Sequence, residues 1–246
     1  MEIIKIVLAG PRGKMGQQVI EMFQKGEHFK LIGVVDTKNS GKLLHEIVDI
    51  PECEVPVYDD CEEALVGLKP DVFVDFTTAS VGKIHAEIAL RLGIRSVIGT
   101  SGFNANDIEK LQEIASQNQI GCIVAPNFAM GAVLMMKFSQ IASKYYQKAE
   151  IIELHHIQQK DIPSGTATKT AEMISHEWNA TAPIIHSVRL PGLVAHQEVL
   201  FGGLGETLKI RHDSFDRSSF MKGIELSINT VLQLDYLVYG LENLLD

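Results

Sequence analysis

The chain has 246 residues, 46% of them hydrophobic, and a formal charge of −9, enough apolar side chain for one large or two modest packed domains. That charge, with no run of Lys or Arg, argues against a nucleic-acid surface, and any carboxylate ligand must be attracted locally rather than by the field of the whole chain. Cys53, Cys61 and Cys122 form no Cys-x-x-Cys pair or disulfide framework, and the first apolar run, residues 3–9, fits neither a signal peptide nor a membrane span, so a cytoplasmic protein is expected.

A buried strand is predicted over residues 3–9, broken by Gly10-Pro11-Arg12-Gly13-Lys14-Met15-Gly16 before a helix over 17–25. A second strand over 31–35 ends in Asp36, 20 positions past Gly16. Strand, glycine turn, helix and a terminal acid at that distance form the order of a dinucleotide site, with the carboxylate placed to hold ribose hydroxyls. Lys14 and Lys38 are the candidate partners for a 2′-phosphate, so NADH and NADPH are both admissible. The alternation continues with a helix over 61–68, a strand over 71–76, a helix over 82–92, a strand over 96–98, a helix over 106–118 and a strand over 121–124. Apolar strands alternating with helices imply a parallel sheet covered on both faces. In such a sheet ligands sit at the carboxyl ends of the strands, so Phe76-Thr77-Thr78 and Gly99-Thr100-Ser101-Gly102 are expected to flank the cofactor.

Ala125-Pro126-Asn127-Phe128 interrupts the rhythm and reads as a hinge, followed by a helix over 130–146. The stretch Glu153-Leu154-His155-His156-Ile157-Gln158-Gln159-Lys160-Asp161-Ile162-Pro163-Ser164-Gly165-Thr166-Ala167 then gathers two imidazoles, an ammonium and hydroxyls between an apolar strand and a helix over 166–178. Ser164 can cap that helix, Gly165 admits a ligand close to the backbone, and the first helical N–H groups lack internal partners, so Ser164-Gly165-Thr166 forms a candidate carboxylate cradle. Adjacent histidines on a strand face opposite ways, so one of the pair contacts the ligand and the other supports it. They make a poor metal site, and no Cys or further His stands at ligand spacing. Strands over 184–190, 197–201 and 206–211 suggest a small mixed sheet with two helices and one face left for a partner subunit. Apolar residues at spacings of three and four predict one long helix over 221–245 that returns to the first domain.

Together these residues resemble the dihydrodipicolinate reductase family of bacterial lysine biosynthesis. The likeness is carried by Gly10 to Gly16, Asp75-Phe76-Thr77, Gly99 to Gly102, Ala125 to Phe128, the His-His to Pro-Ser-Gly-Thr block, and a string from Arg189-Leu190-Pro191-Gly192 through His196, Phe201, Gly205-Glu206, His212, Arg217 and Phe220 to Gly223. The resemblance implies an α/β fold with a Rossmann-type dinucleotide-binding domain (1–126 and 217–246) and an α+β substrate-binding domain (127–216) whose mixed sheet assembles a homotetramer. It implies reduction of a cyclic dicarboxylate by NADPH or NADH with loss of water. By position, Gly10, Gly13, Lys14, Met15, Gly16, Asp36, Phe76, Thr77, Gly99, Thr100, Gly102, Ala125, Phe128, Arg217 and Phe220 are expected at the cofactor. His155, His156, Ser164, Gly165 and Thr166 are expected at the substrate, with His156 delivering the proton.

The family motif carries Lys where this chain has Gln159, and an amide neither delivers a proton at neutral pH nor holds a dicarboxylate by charge. Lys160, one place later, is the expected substitute. A second departure, Ala129 in place of the usual Ser, carries no expected consequence. Two other readings remain open on sequence alone: a non-catalytic NAD(P)H sensor of the same fold, favoured only by Gln159, and another two-domain dehydrogenase, such as one acting on an amino-acid semialdehyde.

Overall fold

The computed structural model describes residues 3–100 and 102–245, so Ser101 of the expected cofactor loop lies outside the described residues. The chain divides into two units, Met1–Pro126 with Gly223–Asp246, and Asn127–Lys222.

In the first unit, strands β1 (Ile4–Ala9), β2 (Phe29–Val35), β3 (Val57–Tyr58), β4 (Val72–Asp75), β5 (Arg95–Ile98) and β6 (Cys122–Val124) alternate with helices α1 (Lys14–Lys25), α2 (Cys61–Leu68), α3 (Ala79–Arg91) and α4 (Ala105–Asn118). The strands lie in the order β6-β5-β4-β1-β2-β3, every pair parallel. That is the Rossmann order, with its switch point between β1 and β4. Burial on both faces explains the unbroken apolar runs: Ile6 to Ala9, Val72 to Val74 and Cys122 to Val124 have no solvent-exposed surface. Local caps fix the helix starts. Asp60 accepts the Glu63 N–H at 2.8 Å, and Asn104 and Asp107 exchange hydrogen bonds of 2.9 Å in a capping box.

The second unit holds helices α5 (Met130–Ser143) and α6 (Gly165–Trp178) and strands β7 (Ala149–His155), β8 (Ile184–Arg189), β9 (Ala195–Gly203) and β10 (Glu206–Ser214). Its sheet, ordered β10-β9-β7-β8, is mixed, since β7 and β8 run parallel and the other pairs antiparallel. Ile151, Val199 and Phe201 on one face pack with Ala167, Ala171 and Ile174 of α6. The Trp178 indole N–H donates to the carbonyls of Ser143 (2.9 Å) and Tyr146 (2.7 Å), closing the C-terminal end of α5.

The tail departs from expectation. Helix α7 spans only Met221–Val231, and Leu237–Tyr239 forms strand β11, parallel to β6 at the edge of the seven-stranded sheet. The long helix over 221–245 is therefore wrong. Leu234, Val238 and Leu241 fall at helical spacing by coincidence, while Leu237-Val238-Tyr239 combines β-forming residue types and buries Leu237 and Val238 side by side. Gly240, at φ +85°, turns the chain out of the strand in a conformation that L side chains rarely adopt. At the helix end, the carbonyls of Val231 and Leu234 lie where a Cβ on Gly121 would sit, 2.5 and 2.8 Å away.

Candidate cofactor and substrate sites

The glycine turn leaves β1 at Gly10, whose φ is +82°. A Cβ there would lie 2.9 Å from the Phe76 carbonyl at the end of β4, so the turn and the β4 loop meet backbone to backbone across the switch point. A Cβ on Gly16 would stand 2.1 Å from the Gly10 carbonyl, so α1 abuts the turn only because that position is glycine. Gly13 is the N-cap of α1 and no side chain caps it, which leaves the N–H groups of Lys14, Met15 and Gly16 at the positive end of the helix dipole. These residues fit the pyrophosphate of a dinucleotide. Lys14 is exposed and Met15 half-buried.

Asp75, wholly buried, ties the next two loops together. Its Oδ1 accepts from the Thr77 N–H (2.8 Å), the Thr77 hydroxyl (2.7 Å) and the Thr100 hydroxyl (3.2 Å), and its Oδ2 meets His85 Nδ1 at 2.7 Å. Phe76-Thr77 and Gly99-Thr100 are thus held at the carboxyl ends of β4 and β5, where the sequence placed them. Ala125 is buried just after β6, and Gly102 takes φ +95° with Ala79 close by. Phe128, Arg217 and Phe220 belong to the second unit, Phe128 buried and the other two in the 3-10 turn Arg217–Phe220.

In the second unit, Glu153 plays the equivalent part. Its carboxylate has no exposed surface and receives both guanidinium nitrogens of Arg189, Nη2 on Oε1 at 2.7 Å and Nη1 on Oε2 at 2.8 Å. It also pairs with His155 Nδ1 and accepts the Ser164 N–H at 3.4 Å. Arg189 donates further to the Asp161 carbonyl at 2.8 Å. Burial lifts the Glu153 carboxyl, but hydrogen bonds from Arg189, Ser187 and His155 outweigh it and hold the group below the usual carboxylate range. The register explains the meeting: His155 of β7 lies beside Arg189 of β8.

The two histidines make different hydrogen bonds. His155 presents Nδ1–H to Glu153, so its free ring atom is Nε2. His156 accepts the Gln158 N–H on Nδ1 at 3.2 Å, which places the neutral ring's proton on Nε2. At the start of α6 the Ser164 hydroxyl accepts the Ala167 N–H at 3.3 Å, and a Cβ on Gly165 would meet nothing within 4 Å. The Thr166 hydroxyl accepts from Asn127 Nδ2 at 3.0 Å and keeps its own proton to donate. Glu153 therefore joins His155 to Ser164 at the open start of α6, which Gly165 and Thr166 continue, while His156 follows His155 in the chain. Lys160 is exposed in the same loop and has no ion pair among the described residues, while Gln159 Nε2 lies 3.5 Å from Asp161 Oδ2.

Residues 4–128 match the family model described as "Dihydrodipicolinate reductase, N-terminus", and residues 131–245 that described as "Dihydrodipicolinate reductase, C-terminus". This chain belongs to the dihydrodipicolinate reductase family. It is 51% identical to the 4-hydroxy-tetrahydrodipicolinate reductase of Geobacillus thermodenitrificans over 99% of both chains, and 48% identical to that of Bacillus cereus over 100% of both. Among solved structures it resembles a dipicolinate-bound dihydrodipicolinate reductase from Paenisporosarcina sp. TG-14, with a TM-score of 0.86 at 44% identity over 99% of this chain and 100% of that one.

Several polar residues of this dihydrodipicolinate reductase family member were not assigned site roles from the sequence. Asp75 and Glu153 are carboxylates at strand ends, a position that marks a candidate but names no partner. Arg189 and Asn127 reach the site through pairings 36 and 39 residues apart in the chain, which no local pattern announces. In this family member Gly16→Ala forces a Cβ into the Gly10 carbonyl, and overpacking of that kind costs about 1–3 kcal/mol. We expect a melting temperature lower by about 2–4 °C for each kcal/mol and NADPH binding weakened beyond detection by calorimetry.

Proposed function

We propose that this chain reduces 4-hydroxy-tetrahydrodipicolinate to tetrahydrodipicolinate with loss of water, using NADPH or NADH, in the diaminopimelate route to lysine. The observation that carries the reading is the set of donors at the start of α6, with two adjacent histidines before it, one of them paired with Glu153, in a chain both of whose halves match the family. The bound reduced nicotinamide supplies the hydride. The Ser164-Gly165-Thr166 backbone and the Thr166 hydroxyl take one carboxylate of the ring, and His155 Nε2 and the Lys160 ammonium take the remaining polar groups. His156, as the imidazolium, gives the proton that balances the hydride and is left as the neutral ring.

A steady-state assay of nicotinamide absorbance with freshly generated substrate tests this. Oxidation that requires that substrate supports the reductase, and tight NAD(P)H binding with no turnover would instead favour the sensor that Gln159 alone suggests. An amino-acid semialdehyde as the sole effective substrate would indicate the third reading.

The same proposal includes a cytoplasmic homotetramer built on the second unit's sheet. Alternation along β7 to β10 sends Ile152, Leu154, Val188 and Leu200 to the face away from α5 and α6, bordered by the ion pairs of Glu198 with Lys209 and Arg211. Four half-buried aliphatic side chains in one patch fit a self-complementary contact between copies. Leu200→Asp is expected to shift the mass measured by light scattering from tetramer to smaller species, and an unchanged mass would remove this face from the interface.

A further inference from the structure

The loops at the ends of β4 and β5 hang on one buried pair. Asp75 has no exposed surface, and the side chain of His85, from α3, is 10% exposed. Asp75 Oδ1 accepts from the Thr77 N–H, the Thr77 hydroxyl and the Thr100 hydroxyl, and His85 Nδ1 donates to Oδ2 at 2.7 Å. The imidazole also stands edge-on to Phe73 of β4, with ring centres 5.9 Å apart. Helix α3 comes this close only through Gly82, where a Cβ would lie 3.0 Å from the Thr100 hydroxyl oxygen and 3.3 Å from Asp75 Oδ1. None of the residues expected at the cofactor lies on α3, and His85 acts on the loops through Asp75.

A Rossmann sheet holds a dinucleotide in two halves, one on each side of the switch point. The glycine turn and Asp36, whose carboxylate meets Arg12 Nε at 2.6 Å, lie on the β1-β2 side, which takes the adenine half. Phe76-Thr77 and Gly99-Thr100 lie on the β4-β5 side, which takes the nicotinamide half, and Asp75 bonds to both of these loops. A buried carboxylate that loses a donor is left with an unpaired oxygen, and it recovers by turning toward the donors that remain, which here are the two threonines. We infer that His85 is a positioning residue for the nicotinamide half of the cofactor. By donating to Oδ2 it leaves Oδ1 to fix Thr77 and Thr100, and so holds the two loops at the spacing the reduced ring requires.

The inference rests on the cofactor of the reductase reading and not on its cyclic substrate, so calorimetry without substrate separates the two. Dissociation constants are measured on the full chain for NADPH and for the 2′-phosphate of adenosine diphosphate ribose, a fragment that keeps the adenine half and lacks the nicotinamide. His85→Leu is expected to weaken NADPH by about 10- to 100-fold and the fragment by less than about twofold. His85→Asn, whose amide N–H stands where Nδ1–H stood, keeps NADPH within about threefold of wild type. Gly82→Ala leaves His85 in place but pushes a methyl group against Thr100 and Asp75 at a helical position that favours alanine. It weakens NADPH by about 3- to 10-fold with the fragment unchanged, and it reads the same contact should His85→Leu fail to fold. Equal losses for NADPH and the fragment in His85→Leu and Gly82→Ala would make the pair a support of the whole sheet and overturn the inference. Undiminished NADPH binding, or an Asn variant no better than Leu, would overturn it too. The expected binding pattern without turnover of the cyclic substrate would overturn the reductase reading and leave this one standing, and turnover with equal losses would do the reverse.

Discussion

Glu153→Ala is expected to lower the stability of the second unit by about 3–5 kcal/mol, the cost of breaking a buried ion pair and leaving its partner uncompensated. The carboxylate is fully covered and gathers the Arg189 fork, His155 Nδ1 and the Ser164 N–H, so its removal strands a guanidinium that is only 10% exposed. Arg189 Nε is already buried without a partner, and only the neutral carbonyls of Val188 and Asp161 would remain to the guanidinium. Trp178 is the one tryptophan of the chain and lies in this unit, so its fluorescence during urea unfolding reads the change directly. The pH dependence has a definite sign. The folded carboxyl lies below its ordinary value of 4.5, so its stabilisation is present in full at pH 7 and is lost as the pH falls from about 4.5 down through the folded value. Glu153→Gln removes the charge but keeps the shape, and its stability should respond less to pH across that window. A loss under about 1 kcal/mol in Glu153→Ala would mean that Arg189 finds water instead, and the clamp would not be what orders the loop.

What the sequence made legible was what short-range physics controls. The first unit's strands and helices each carry their own pattern, and the glycine turn, the terminal Asp36 and the Ser164 cap announce themselves by residue type. The mixed sheet of the second unit was legible as three strands with glycine turns between them, and the comparisons agree with the family reading of both halves. What failed was length. Leu237–Tyr239 is three residues long, too short to show a period of two against the helical spacing around it, and β3 at Val57–Tyr58 went unseen for the same reason. What stayed hidden was pairing at a distance. Arg12 with Asp36, and Arg189 with Glu153, are set by strand register and turn geometry, which a linear pattern does not encode.

His156→Asn is expected to reduce kcat by about 100- to 10,000-fold while leaving the NADPH dissociation constant within about twofold, the range lost when a positioned general acid is removed. The structural reason is that His155 pairs with the Glu153 carboxylate while His156 pairs with no carboxylate among the described residues, so an imidazolium at His156 is free to give up its proton. Asn keeps a polar group of similar reach but has no titratable proton, so the loss falls on kcat rather than on binding. Lys160 should behave differently. Its ammonium has no ion pair among the described residues and stands one position beyond the family's lysine, where Gln159 has neither charge nor a labile proton to offer. Lys160→Ala is therefore expected to lower kcat/KM by about 10- to 100-fold, chiefly through KM for the dicarboxylate, since a hydrogen bond to a charged group is what it removes. Adding Gln159→Lys to that variant should restore most of the loss, because the family position then carries the cation. If Lys160→Ala leaves both constants unchanged, the helix start and the histidines hold the substrate without an ammonium, and Gln159 marks a lysine this chain has dispensed with.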